Sequence, residues 1–131
     1  MSALLVDSHI LHWWSAEPER LSTAAVAALE DAEELAVAAI TWYELGWLAV
    51  RGRISVGLPV GTWLGQLASS VRTAALTPAI AATAVGLPRT FPGDPADRLI
   101  YATAVEHGWK LVTKDDRLRR HRGSPSAPTI W

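Results

Sequence analysis

Near its start the chain carries Ala3-Leu4-Leu5-Val6, an unbroken apolar run that ends on Asp7. A strand with one wet face would alternate apolar and polar residues. Four consecutive apolar side chains therefore predict a strand covered on both faces. Two later segments have the same character, Leu35-Ala36-Val37-Ala38-Ala39 and Trp109-Lys110-Leu111-Val112-Thr113. Strands of this kind need helices above and below them, which only a layered α/β arrangement provides.

The intervening segments read as those helices. Residues 8–14 are helical and Pro18 closes the connection that follows. Ser22 is placed to cap a helix over 23–32. A helix opens at Thr41-Trp42-Tyr43-Glu44 and ends near Arg51-Gly52, and another fits 60–70 after Pro59. Residues 73–76 form a short strand, and Pro78 starts a helix to Val85. Residues 86–95 hold three prolines and two glycines and read as a loop. A helix spans 97–107 with Gly108 just past its end. After an irregular stretch from Gly123 to Pro128, Thr129-Ile130-Trp131 adds an edge strand. The fold class is α/β: three layers, with a mainly parallel central sheet flanked by helices.

The 131 residues fit one domain spanning 1–131, with no repeat and no linker. Half of them are hydrophobic and 19% charged, which excludes a disordered chain. With no cysteine, disulfides, zinc–thiolate sites and thiol catalysis are excluded, and a reducing cytoplasmic setting fits. Met1-Ser2-Ala3-Leu4-Leu5-Val6-Asp7 lacks the basic start of a signal peptide. The longest apolar stretch, 35–50, is too short to span a bilayer and carries Glu44. A soluble protein is expected.

Charge is divided unevenly. Residues 1–44 hold one Lys/Arg against eight acids, whereas 45–131 hold eleven against five. Such a split accompanies either a nucleic-acid partner or an ordinary solvated face, here the acids at 30–34. More telling is where other acids fall. Asp7 follows the first strand, Asp115 follows the strand at 109–113, Glu44 lies early in the helix after the second strand, and Asp97 opens the helix 97–107. In open α/β sheets, strand ends and helix starts share the edge where ligands bind. Four acids distant in sequence thus converge on one patch, with Asp94 and Asp116 as possible additions.

Carboxylates about 4 Å apart repel by roughly 4 kcal/mol at an effective dielectric of about 20. A cluster is tolerable when it shares protons or a cation. Oxygen-only donors suit Mg2+ or Mn2+, and such sites serve phosphoryl chemistry without a side-chain nucleophile. Each acid also has a plainer reading. Asp7 could cap the next helix, and Thr41-x-x-Glu44 matches a capping box. Asp94-Pro95 could be turn chemistry, Asp97 a helix-start charge, and Asp115-Asp116 the start of a short surface helix.

Taken in order, Val6-Asp7-Ser8-His9-Ile10-Leu11-His12-Trp13-Trp14, Ala39-Ile40-Thr41-Trp42-Tyr43-Glu44-Leu45-Gly46 with Arg51-Gly52-Arg53-Ile54, Gly93-Asp94-Pro95-Ala96-Asp97-Arg98-Leu99-Ile100-Tyr101-Ala102-Thr103-Ala104, and Leu111-Val112-Thr113-Lys114-Asp115 span nearly the whole chain. Together they resemble the PIN-domain ribonucleases, specifically the VapC-type toxins of toxin–antitoxin pairs. The resemblance implies a divalent-metal endoribonuclease restrained by a cognate antitoxin, and a homodimer. The family's acidic site maps onto Asp7, Glu44, Asp97 and Asp115, with Asp7 and Asp97 as main ligands of Mg2+ or Mn2+. Glu44 and Asp115 would be ligands or water-positioning groups. Tyr101 departs from the pattern, standing where a small residue is expected. Asp116 leaves the fourth acid open between itself and Asp115.

Other residues have two readings. Thr113 or Ser8 could orient a carboxylate or simply satisfy a strand end. His9 and His12 read as packed or partly exposed side chains rather than ligands. Among seven tryptophans, Trp13, Trp47 and Trp109 read as core or partner-interface anchors. Arg117, Arg119, Arg120, His121 and Arg122 form a basic run suited to an RNA backbone or to plain solvation. Leu45, Trp47, Leu48 and Val50 crowd one helix, which predicts a groove for an antitoxin segment or a second protomer. A receiver-like signalling domain would need an acid after its third strand, where Leu76-Thr77-Pro78 stands. A haloacid-type phosphatase would need Asp-x-Asp where Asp7-Ser8-His9 stands. A catalytically silent relative that only binds protein or RNA stays open.

Overall fold

Strand β1 (Ala3–Val6) lies at the centre of a sheet in which every neighbouring pair is parallel. The computed structural model describes residues 3–131; Met1 and Ser2, part of the argument against a signal peptide, lie outside the described residues. Around β1 stand β2 (Glu34–Ala38), β3 (Arg72–Ala74), β4 (Lys110–Val112) and β5 (Thr129–Ile130), in the order β3-β2-β1-β4-β5. Leu5 sits opposite Ala36 on one side and Leu111 on the other. All four β1 residues are buried, as the unbroken apolar run requires.

Alternation along the strands feeds two cores. Leu5, Ala36, Ala38 and Leu111 pack on one face with Phe91, Ile100 and Tyr101. Leu4, Val6, Val37 and Val112 pack on the other with Ile10, Leu11, Leu29 and Leu45. The first face is covered by α6 (Pro95–His107), itself backed by α5 (Pro78–Gly86) through Ile80, Ala84 and Ala102. The second is covered by α1 (Ser8–Ala16), α2 (Thr23–Asp31) and α3 (Ile40–Val50), with α4 (Val60–Ala68) against α3. A last short helix, α7, spans Asp116–Arg119. The three layers match the sequence expectation. No helix among the described residues is long and apolar enough to cross a membrane.

Local chemistry fixes the ends. Ser22 accepts from the Ala25 N–H at 3.0 Å and caps α2. Gly108 closes α6 at φ 69°, a left-handed conformation that other residues rarely adopt. Tyr101, the departure from the expected small residue, is buried. Its hydroxyl accepts from the Ala127 N–H at 2.9 Å and so ties the C-terminal segment to the core.

Several boundaries differ from expectation. Strand β3 begins at Arg72 and ends at Ala74, because it pairs only with Ala36–Ala38 of β2. Helix α6 starts at Pro95 rather than Asp97, since Asp94 caps it. The Thr41–Glu44 capping box does not form. Helix α3 starts at Ile40 behind Ala39, with no side-chain cap.

The chain leaves the sheet centre in one direction for β2 and β3, then returns to build β4 and β5 on the other side of β1. The reversal lies between β1 and β4. In a doubly wound sheet that point opens a crevice beyond the strands' carboxyl ends.

Candidate active site

Asp7 and Asp115 come from the two strands that bound this crevice. The Asp7 N–H donates to the Val112 carbonyl at 3.0 Å, continuing the β1–β4 ladder by one residue. Its carboxylate accepts from the Ser8 N–H at 2.6 Å and from the Thr113 hydroxyl at 2.7 Å. Thr113 Oγ1 in turn accepts from the Asp115 N–H at 3.1 Å. One buried threonine therefore joins both strand-end acids.

Capping places the acids as well. Asp7 caps α1, Asp94 caps α6 through the Ala96 and Asp97 N–H groups, and Asp115 caps α7 through the Arg117 N–H. The plainer reading of Asp7 and of Asp115-Asp116 as helix starts is correct, and it is the means by which carboxylates reach the sheet edge. Asp97 follows in the first turn of α6. Glu44, on α3, accepts from the buried Ser8 hydroxyl, which lies 3.4 Å from Thr41 Oγ1. Ser8 thus links α1 to α3.

Asp7, Glu44, Asp94, Asp97 and Asp115 line one cleft of ≈ 560 Å³, together with His9, Trp13, Lys114 and Arg117. Asp116 does not line it; its carboxylate points to Arg119, 3.0 Å away. His9 borders the cleft with its ring tilted on Trp13, while His12 is buried with Nε2 against Glu17 at 3.1 Å. Trp109 belongs to the core and Trp13 to the cleft wall, but Trp47 is 47% exposed and no core residue.

Burial first, and mutual repulsion after it, weaken the acids of the cleft. Burial, then Asp94, Asp7, Asp115 and Glu44 in turn, push Asp97 up to about 7. Burial raises Asp7 and Glu44 too, against the hydrogen bonds from Thr113 and Ser8 that favour their charged forms. Asp115 goes the other way, held below its ordinary value by Arg117. The Arg117 guanidinium reaches Asp115 Oδ2 at 2.7 Å and Asp97 Oδ2 at 3.3 Å. Lys114 lies over Trp13 and Trp131, 5.7 Å from each ring.

An all-oxygen donor set that resists full ionisation suits a hard divalent cation. Asp7, Glu44, Asp97 and Asp115 are the residues that could hold one. Among the described residues no three such side chains converge on a single ion position, and Arg117 occupies the face shared by Asp97 and Asp115. The charge-neutralising role of Arg117 escaped the sequence reading, which grouped it with its basic neighbours. Its spacing two residues beyond a helix-capping Asp was the available signal.

Residues 4–123 match the model of the PIN domain family. Over all 131 residues the chain is 64% identical to ribonuclease VapC22 of Mycobacterium tuberculosis, covering the whole of both chains. Its fold is similar to a solved toxin–antitoxin complex from Klebsiella pneumoniae, with TM-score 0.66 and 25% identity over 93% of this chain and 92% of that one. It also resembles VapBC2 of Rickettsia felis, solved bound to a promoter DNA fragment, with TM-score 0.67 and 15% identity over 97% and 96%. A match reaching from β1 past the last cleft acid takes in the switch point and every carboxylate gathered on it, and the chain belongs to the PIN domain family.

Proposed function

We propose that the chain is an endoribonuclease that hydrolyses RNA phosphodiester bonds at the acidic cleft with Mg2+ or Mn2+, and that it acts as the toxin of a toxin–antitoxin pair. The observation that carries this reading is the gathering of acids from four sequence-distant segments on one cleft at the sheet's switch point. Full-length identity of 64% to a ribonuclease supports it.

Asp7 and Asp97 are the main metal ligands in this reading, with Glu44 and Asp115 as ligands or water-positioning groups and Asp94 at the rim. A divalent ion bound there supplies charge neutralisation for the phosphodiester and makes water more acidic. Thr113 orients Asp7, and Ser8 orients Glu44. Lys114 and Arg117 oppose the negative charge that RNA brings into an acidic cleft. The domain 1–131 works as one PIN-like unit in the cytoplasm, as a homodimer.

The partner is a cognate antitoxin. On α3, Leu45 is buried and serves the core, but Tyr43, Trp47 and Val50 are exposed, with Tyr43 stacked on Trp47 and Arg51 over the Trp47 ring at 4.3 Å. That strip is more apolar than solvent exposure alone favours, and it suits an antitoxin segment.

Purified protein incubated with structured RNA, with Mg2+, with Mn2+ and with chelator, tests the activity. Cleavage should require the ion and disappear in the Asp7→Asn/Asp97→Asn double variant. Cleavage that survives chelation or the double substitution would end this reading and leave a binding module.

A further inference from the structure

Five carboxylates line the cleft, against the two cationic side chains Lys114 and Arg117. A polyanion entering such a cleft needs cations beyond its acidic centre, because like charges at close range repel. The surface provides them on both sides. One flank is a cavity of ≈ 460 Å³ that shares His9 and Trp13 with the acidic cleft and carries Arg20, Arg53 and Ser55, with Glu17 as its one acid. The other is a cavity of ≈ 240 Å³ that shares Arg117 with it and carries Thr90, Arg120 and Arg122.

Most of these cations have no acid partner among the described residues. Among the described residues, Arg53, Arg120 and Arg122 have no carboxylate within ion-pair distance, whereas Arg20 pairs with Glu17 at 3.7 Å. The second flank is also anchored. The His121 ring packs edge-on against Phe91 and Tyr101, its Nε2 lies 3.0 Å from the Pro125 carbonyl, and Arg122 donates to the Arg119 and His121 carbonyls. Arg119 lies in the same basic run but lines neither flank and spends its charge on Asp116.

We propose that the three adjoining cavities form one track for a single RNA strand. The scissile phosphodiester lies over the acids, and flanking backbone phosphates are held by Arg53 on one side and by Arg120 and Arg122 on the other. The inference rests on the ribonuclease reading and adds where the strand runs. Successive concavities suit a flexible single strand, whose backbone can follow the flanking cations from one to the next.

The test is fluorescence anisotropy in Mg2+ with a labelled, cleavage-resistant 2′-O-methyl single strand of about 12 nucleotides. Arg53→Ala and the Arg120→Ala/Arg122→Ala pair should each raise Kd about 10-fold. Each should also flatten the dependence of log Kd on log salt, by about 0.7 for every phosphate no longer neutralised. Arg53→Lys and Arg120→Lys/Arg122→Lys should restore most of the affinity, since an ammonium still meets a phosphate. Arg119→Ala should change neither quantity.

Unchanged salt slopes in the flank variants, or an equal loss in Arg119→Ala, would overturn the track. So would loss of affinity for a co-purified small protein with RNA binding intact, which would assign the flanks to that partner. Cleavage of unmodified RNA is read in parallel. Ion-dependent cleavage with flank variants that bind normally discards the track alone; absence of both cleavage and binding discards the ribonuclease reading with it.

Discussion

Thr113 at the end of β4 donates its hydroxyl to Asp7 Oδ2 at the end of β1, 2.7 Å away, across the point where the strand order reverses. The same oxygen accepts the Asp115 N–H, so the hydroxyl serves both acids at once. The bond from the Asp115 N–H is an ordinary threonine turn, and the bond to Asp7 is the one that joins the two strand ends.

Thr113→Val keeps the shape and deletes the donor. Asp7 then loses a bond that favours its charged form, and its affinity for protons rises further. The metal-free fold should lose about 1 kcal/mol, the usual scale for one hydrogen bond. Affinity for Mg2+, measured by calorimetry, should fall roughly 10- to 100-fold, as when a ligand's supporting partner is removed. Thr113→Ser should restore both. Unaltered Mg2+ binding in Thr113→Val would reduce this threonine to a packing residue.

Asp97 makes the metal-free protein pH-sensitive. Its carboxyl rises from 3.8 to about 7 on folding. As pH climbs through that window the unfolded chain releases the proton first, so the stability Asp97 contributes at low pH is lost as pH approaches 7. In chelator, Tm should therefore decline across this range, and the decline should be smaller in Asp97→Asn. Saturating Mg2+ should flatten the wild-type curve, because the ion favours the ionised form. Parallel wild-type and Asp97→Asn curves would remove Asp97 from the repelling cluster.

Arg98, beside Asp97, fixes the loop that carries Asp94. Its guanidinium donates to the Ala84, Leu87, Pro88, Phe91 and Pro92 carbonyls at 2.9–3.3 Å. Lysine has three donors on one centre and cannot reproduce a planar fork. Arg98→Lys should lower stability by about 2 kcal/mol and Arg98→Ala by about 3 kcal/mol, through carbonyls left without partners. Urea midpoints measure this, and limited proteolysis should show faster cutting within residues 87–94. Equal stability of Arg98→Lys and wild type would mean that water replaces these bonds freely.

The buried strands were legible because burial on two faces leaves an unbroken apolar run, as in β1. Strand β3 was shifted because an edge strand exposing Arg72 and Thr73 has no such signature. Asp7 and Asp115 were found by their position after strands and Glu44 and Asp97 by theirs at helix starts, and Asp116 differs from Asp115 in lying outside the cleft. Bonds to backbone carbonyls leave no pattern in side-chain order. Arg98 therefore read as a neighbour of Asp97 rather than as the clamp of a loop.

Glu44 gives the sharpest separation of catalysis from structure. It makes no capping box; its structural partner is the Ser8 hydroxyl. The side-chain oxygen of glutamine accepts that bond as well as glutamate does, so Glu44→Gln should fold normally. It should also stabilise the metal-free protein slightly, since it removes one charge from a repelling group. A ligand or water-positioning carboxylate, in contrast, acts through its charge and basicity. Ion-dependent cleavage should therefore fall by roughly 100-fold or more. Ser8→Ala makes the complementary change, keeping the charge and releasing its orientation. It should cost about 1 kcal/mol of stability and reduce cleavage by about 10-fold. Single-turnover rates beside denaturation midpoints distinguish the two. If Glu44→Gln cleaved at the wild-type rate, Glu44 would be no more than the acceptor that ties α3 to α1, and the active site would contract to its aspartates.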